Sequence, residues 1–207
     1  MSELIYQSLK IVISLLFKIF YRLKVEGLEN LPQEGRFILA SNHSSYFDPL
    51  AIGVAALPRR INFMVLRVYY DPWPARWFFK AASSFPVDES KPDVGAFRHA
   101  LKVLRRGGIL GIFPEGGRSK DGRLKEGKLG AALLASKAGV PILPAAVIGA
   151  FEAFPPGALF PKLGSIRVRF GPPITLGNYS DKRVDGERLK LVTKRMMSAI
   201  GKLMEEV

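Results

Sequence analysis

Large apolar side chains crowd the start of the chain, from Leu4, Ile5 and Leu9 through Ile11, Val12, Ile13, Leu15, Leu16 and Phe17 to Ile19, Phe20 and Leu23. The polar residues among them, Lys10, Ser14, Lys18 and Arg22, recur every four positions and so draw one stripe along a helix. The longest stretch without a charge runs only from Ile11 to Phe17, far short of the ~20 residues that cross a bilayer. Lys18 and Arg22 also interrupt the run, and no small-residue cleavage site follows, which argues against a cleaved signal segment. The pattern predicts an amphipathic helix over residues 1–23 lying in a membrane interface, with Lys10, Lys18 and Arg22 toward headgroups. The competing reading is a helix packed on the protein's own core, and a shallow or hairpin-like insertion is a third.

Beyond residue 24 the periodicity alternates between strand and helix. Val25 to Leu31 reads as a short strand and turn, and Phe37 to Ala40 as a buried strand. A helix after Pro49 carries Leu50, Ile52, Val54 and Leu57, and Ile61 to Leu66 is the next strand. Val68 to Lys80 is the most aromatic segment and holds both tryptophans, which suits a membrane interface, a greasy acyl groove or ordinary packing of a short helix. Asp93 to Arg106 forms a helix with Val94, Phe97, Leu101 and Leu104 on its core face and His99 on the solvated side, stopped by Gly107-Gly108. A buried strand over Gly108 to Phe113, a helix from Lys128 to Lys137 and a strand from Val140 to Ile148 follow. Ser165 to Phe170 alternates in the manner of an edge strand, and a last helix starts at Asp181 or Asp185, with Leu189, Val192, Met196, Ile200 and Leu203 on its core face. Such alternation predicts an α/β domain over residues 24–207, a mixed central β-sheet flanked by helices.

Composition narrows the chemistry. The 207 residues contain no cysteine, which removes disulfides, thiolate metal sites and a thioester on the enzyme itself; two histidines are too few for a multi-histidine metal centre. The formal net charge of +13, from 31 Lys and Arg against 18 Asp and Glu, attracts polyanions: nucleic acid, an anionic membrane or phosphorylated substrates. No nucleic-acid motif accompanies it, and the basic residues lie scattered through apolar segments.

Two stretches carry candidate chemistry. In the first, the strand at Phe37 breaks into a polar loop at Ser41-Asn42-His43 and ends at Asp48-Pro49, where Asp48 reads as a helix N-cap and Pro49 as the first helical residue. A tight loop would fold the carboxylate back onto the imidazole, as a base and its orienting partner require. The plainer reading is a capping Asp and a polar loop His. In the second stretch, residues 108–119, an apolar run delivers the turn Pro114-Glu115-Gly116-Gly117-Arg118-Ser119.

Together these stretches resemble the glycerolipid acyltransferase family, typified by lysophosphatidic acid acyltransferases. Asn42-His43-Ser44-Ser45-Tyr46-Phe47-Asp48 is similar to its N-H-x4-D motif, Phe113-Pro114-Glu115-Gly116-Gly117-Arg118-Ser119 to its F-P-E-G-x-R-S motif, and Val140-Pro141-Ile142-Leu143-Pro144 to its V-P-I-x-P strand. They occur in the family's order, and the resemblance runs from about Val25 to Ile174. The second family motif falls at Phe85 to Ser90, where the usual Arg position is Glu89 and Lys91 follows, so no binding arginine is carried over.

The resemblance implies transfer of an acyl chain from acyl carrier protein or coenzyme A to the free hydroxyl of lysophosphatidic acid, giving phosphatidic acid in phospholipid biosynthesis. His43 would be the general base and Asp48 its partner. With no cysteine, and with Ser44 and Ser45 lacking a Gly-flanked elbow, direct attack by the acceptor hydroxyl is favoured over an acyl-enzyme. Arg118 offers a planar fork for phosphate, Gly116 and Gly117 permit close approach, Glu115 would fix Arg118 or a substrate hydroxyl, and Lys128 best matches a further basic position. For Arg118 the plainer reading is a surface salt bridge. No cofactor or metal is implied beyond the acyl donor. The expected partners are a membrane phospholipid surface, the lysolipid and the donor, without nucleic acid. The expected location is peripheral or shallowly inserted, on the cytoplasmic face of an inner membrane. Other lysolipid or amino-acid-derived lipid acceptors, and a non-catalytic lipid- or nucleic-acid-binding protein, are the alternatives.

Overall fold

The computed structural model describes residues 3–88, 93–175 and 185–205. Glu89, Lys91 and Asp181 fall outside them, and with them the departure in the second motif. The elements in order are α1 (Glu3–Phe20), β1 (Lys24–Glu26), β2 (Ile38–Ser41), α2 (Asp48–Ala55), β3 (Ile61–Leu66), α3 (Arg67–Tyr70), α4 (Ala75–Ala81), β4 (Phe85–Val87), α5 (Val94–Arg105), β5 (Ile109–Ile112), α6 (Gly130–Ala138), β6 (Ile142–Ile148), α7 (Ala150–Ala153), β7 (Arg167–Phe170) and α8 (Gly186–Glu205).

The strands form one seven-stranded sheet in the order β1-β7-β6-β2-β5-β3-β4, parallel throughout except at β6–β7. β2 lies at its centre, with Ile38 beside Leu110 of β5 on one side and Ile142 of β6 on the other. Its residues are buried without exception, which is why it reads as a continuous apolar run and not as an alternation. Successive side chains still point to opposite faces. Leu39 joins a core with Leu143, Phe63, Phe17 of α1 and Ile52 of α2; Ile38 and Ala40 join another with Leu104 of α5, Leu134 of α6 and Met196 of α8. Parallel β2 and β5 therefore finish at the same carboxyl end of the sheet, and both motif loops leave from there.

Two sequence expectations change. β7 is not an edge: it lies between β1 and β6, and Arg169 is buried there, paired with Glu26 and donating to the carbonyl of Leu203. The alternation was real, but a guanidinium with carboxylate and carbonyl partners can occupy an inner position. On α5 the buried residues are Ala96, Ala100 and Leu104, which share a core with Ala131 and Leu134 of α6, while Val94 is exposed. The exposed histidine of that helix, His99, lies against the ring of Phe85 on β4, 4.3 Å between centroids.

α1 has two different faces. Phe17 and the following Tyr21 are buried against Phe47, with ring centroids 5.4 and 4.8 Å away, and Ile13 packs on the same core. On the opposite side Ile11, Val12, Leu15, Leu16 and Ile19 are all exposed, Ile19 at 66%. The helix thus belongs to the core on one side and presents uncovered apolar surface on the other. Truncating Phe17→Ala should lower stability by about 3–5 kcal/mol through the cavity it leaves, whereas Ile19→Ser should stay within about 0.5 kcal/mol. Urea unfolding of both variants measures this; equal losses would mean that the outer face is also packed.

Candidate functional site

The loop after β2 is secured before it reaches its histidine. The Asn42 amide donates to the carbonyl of Val147 (2.9 Å) and accepts from its N–H (2.8 Å), so a side chain prolongs the pairing of β2 with β6 where the backbone departs. His43 then lies flat on Phe113, 3.9 Å between centroids and 15° between planes. Phe113 continues in turn onto Phe63 (5.7 Å, 12°). That ring occupies the space beside Gly111, where a Cβ would come within 2.4 Å of it. A glycine in β5 thereby makes room for the ring that backs the platform under His43.

Asp48 Oδ2 lies 2.8 Å from His43 Nδ1 and accepts the backbone N–H groups of Ser44 and Ser45, both at 2.7 Å. The carboxylate is wholly buried and the imidazole partly open. This corrects the capping expectation: Phe47 holds the N-cap position, Asp48 is the first helical residue, and its carboxylate points backward into the loop instead of along its own helix. An oxygen already accepting two N–H bonds takes a third from the ring, so Nδ1 carries the proton and Nε2 keeps its lone pair. Such an imidazole can accept a proton at Nε2, with a fixed negative charge against the cation that forms. Ser45 Oγ donates to the carbonyl of Phe154 and accepts from Phe47 N–H, which commits that hydroxyl to structure.

The loop after β5 is joined to the first through Glu115. Its Oε1 accepts His43 N–H at 2.7 Å and its Oε2 accepts Lys125 N–H at 3.0 Å, while Ser119 N–H donates to the His43 carbonyl at 2.7 Å. Both carboxylate oxygens are therefore engaged by backbone, and Glu115 fixes His43 and Lys125 in place of Arg118. Burial pushes the Glu115 carboxyl above the ordinary glutamate range, and the two N–H bonds pull the other way.

Arg118 is held by aromatic residues instead of a carboxylate. Its guanidinium stacks 3.7 Å over the Tyr46 ring and donates from Nη2 to the Tyr69 hydroxyl at 2.6 Å; Nη1 is buried with no hydrogen-bond partner among the described residues. Lys125 Nζ caps the carbonyls of Gly117 and Arg118. Gly116 takes the left-handed conformation (φ 74°), and a Cβ there would meet Lys128 Nζ at 2.4 Å, so Lys128 reaches across the same turn. The sequence-predicted residues His43, Asp48, Glu115, Gly116, Gly117, Arg118 and Lys128 thus belong to two loops bonded to each other. Tyr46, Tyr69, Asn42 and Phe113 were not foreseen. Asn42 and Phe113 sit in the motifs, but nothing in the sequence links Tyr69 to Arg118 across 49 positions.

The profile of a family described as Acyltransferase matches residues 22–148, more than half of the chain. A 1-acyl-sn-glycerol-3-phosphate acyltransferase of Bacillus subtilis is 31% identical over 198 residues, covering 95% of this chain and 93% of that protein. A chloroplastic 1-acyl-sn-glycerol-3-phosphate acyltransferase of Brassica napus is 30% identical over 83% of this chain, which spans half of that longer protein. The crystal structure of the 1-acyl-sn-glycerophosphate acyltransferase PlsC from Thermotoga maritima superposes with a TM-score of 0.76 at 23% identity, covering 98% of this chain and 82% of that one, and shares the fold.

Glu115→Gln presents one oxygen to two backbone N–H groups, so one is orphaned at a cost of about 1–3 kcal/mol. The folded chain keeps the Glu115 proton to higher pH than the unfolded chain does. The residue's contribution is therefore full below the ordinary glutamate value and is lost as pH rises through the raised one. Urea midpoints taken upward through that window should show the stability difference between native chain and variant shrinking. A widening difference would mean that the ionised form is the stabilising one.

Proposed function

This chain belongs to the acyltransferase family, and we propose that it acylates the free hydroxyl of 1-acyl-sn-glycerol 3-phosphate from acyl-CoA or acyl-ACP, giving phosphatidic acid. The observation that carries this reading is the imidazole of His43 held at Nδ1 by a buried carboxylate beside a cationic turn. The name borne by the Bacillus subtilis relative, 93% of which this chain covers, supports the same acceptor.

In the proposed reaction Nε2 of His43 takes the proton of the attacking hydroxyl as its oxygen bonds to the thioester carbonyl carbon. Asp48 offsets the imidazolium charge and keeps the ring from turning. When the tetrahedral intermediate collapses the C–S bond breaks, and the proton on Nε2 leaves with the thiolate as thiol. General-base assistance of this kind is worth roughly 10²- to 10⁴-fold. Arg118, Lys125 and Lys128 form the positive turn for the acceptor phosphate. A planar guanidinium suits a pair of phosphate oxygens, and with its face on Tyr46 and Nη2 on the Tyr69 hydroxyl, Nη1 is the donor left without a partner among the described residues. The exposed apolar face of α1, interleaved with Lys18, would hold the protein on a bilayer, where the acceptor resides. Among the described residues no helix is long and apolar enough to cross a membrane.

Purified chain supplied with labelled acyl donor and lysophosphatidic acid should form phosphatidic acid, and His43→Ala should abolish it. Asp48→Asn preserves an acceptor for Nδ1 and for both serine N–H groups, so the fold should persist while turnover falls roughly 10²-fold or more. Near-normal turnover in Asp48→Asn would reduce Asp48 to a structural role. Arg118→Lys keeps the charge and loses the fork; KM for the lysolipid should rise about tenfold or more with KM for the donor little changed. A defect confined to the donor would remove Arg118 from the phosphate site.

A further inference from the structure

Some of the most exposed large apolar side chains in the protein stand together on one short loop. Leu159, Phe160 and Leu163 are 87%, 80% and 77% exposed, and Trp73, between α3 and α4, is 84% exposed. The loop is rooted beside the catalytic histidine: Ser45 Oγ donates to the Phe154 carbonyl at 2.7 Å, and Lys162 N–H returns to the Ala153 carbonyl at 2.7 Å, closing the loop on its own base. Tyr46, three residues past His43, touches both sides, with the ring of Phe154 5.1 Å away and that of Tyr69 on α3 6.4 Å away. One exposed apolar group thus leaves the rim of the site through Phe154 and another through Tyr69.

We propose that the Leu159–Leu163 loop and the Trp73–Trp77 segment are two prongs that enter an anionic phospholipid bilayer on either side of the catalytic loop, in addition to α1. The inference rests on the reading above that the acceptor is a membrane lipid. Charge selects this occupant: Lys162 lies within the apolar loop tip, exposed Arg76 and Lys80 lie beside the tryptophans, and the chain carries +13 overall. Apolar and indole tips ringed by cations match an interface whose headgroups are anionic and whose acyl region lies just below. Three prolines, Pro155, Pro156 and Pro161, restrict the loop backbone, so little freedom is left to lose on insertion. A contact on both sides of Tyr46 would bring the acceptor from the bilayer directly to Arg118 and His43.

The test uses the full chain and vesicles of mixed phosphatidylglycerol and phosphatidylcholine. The only two tryptophans are Trp73 and Trp77, so native fluorescence reads one prong without mutation. It should shift to the blue on vesicles and be quenched by brominated acyl chains. Replacing Leu159, Phe160 and Leu163 together by Ser should lower vesicle partitioning about tenfold or more, with activity on a dispersed short-chain lysolipid near that of the native chain. Phe160→Trp in a Trp73→Phe, Trp77→Phe background reads the loop directly, keeps it apolar, and should also be quenched. Absence of quenching at either prong, or unchanged partitioning of the triple Ser variant, overturns the proposal. So does a triple variant whose only change is dissociation of a dimer, or a lost activity specific to acyl-ACP with vesicle binding intact. A native chain that is quenched on vesicles but acylates no lysophosphatidic acid would uphold this contact and remove the acceptor assignment instead.

Discussion

A single buried oxygen, Oδ2 of Asp48, receives the imidazole N–H of His43 and the backbone N–H groups of Ser44 and Ser45, and the loop after the central strand owes its shape to that convergence. A carboxylate holds three donors around one acceptor best, because a neutral oxygen binds them more weakly and supplies no charge against the imidazolium. At the five-residue spacing of N-H-x4-D the loop turns the carboxylate back onto the ring and aims two consecutive N–H groups at one oxygen. The ring orientation, and with it any proton transfer at Nε2, depends on this one atom.

Glu115 does the corresponding work between loops. By accepting from His43 N–H on one oxygen and Lys125 N–H on the other, it ties the two turns together, and Ser119 N–H to the His43 carbonyl closes the link. The cationic turn is then fixed relative to the imidazole, so in the proposed reaction an acceptor held there by its phosphate would present its hydroxyl at a repeatable place. Preorganisation of this kind lowers the entropic cost of bringing the reacting groups together. Arg118, stacked on Tyr46 and bonded to Tyr69, is positioned by residues that also lead to the exposed aromatic segment, which ties the proposed phosphate site to the surface of the molecule.

Much of this was legible in the sequence. The buried parallel strands announced themselves as short apolar runs ending in polar loops, and Asp48 meets His43 as their spacing implied. The direction of the Asp48 carboxylate was not legible, because Asp before Pro carries the same signal whether the side chain caps its helix or turns backward; only the loop N–H groups decide. Arg169 was hidden for a similar reason: an arginine in an alternating strand reads as solvent-facing until Glu26 and the Leu203 carbonyl are known to surround it. Ala96 and Ala100 were overlooked on α5 in favour of larger Val94, since hydrophobic size predicts burial poorly where helices pack closely. Glu115 reads from the sequence as a partner of Arg118 or of a substrate hydroxyl, whereas its partners are the backbone N–H groups of His43 and Lys125, which no side-chain pattern reveals.

The account turns on the protonation state that Asp48 imposes on His43, and nitrogen-15 NMR of the ring reads it directly. The chain has only two histidines, His43 and His99, so the signals can be assigned by replacing His99. At pH values where the ring is neutral, the account predicts the proton on Nδ1 and an unprotonated Nε2 in His43, and this preference should weaken when Asp48 is changed to Asn. A neutral His43 carrying its proton on Nε2 would leave no base to receive a hydroxyl proton there, and would contradict the account.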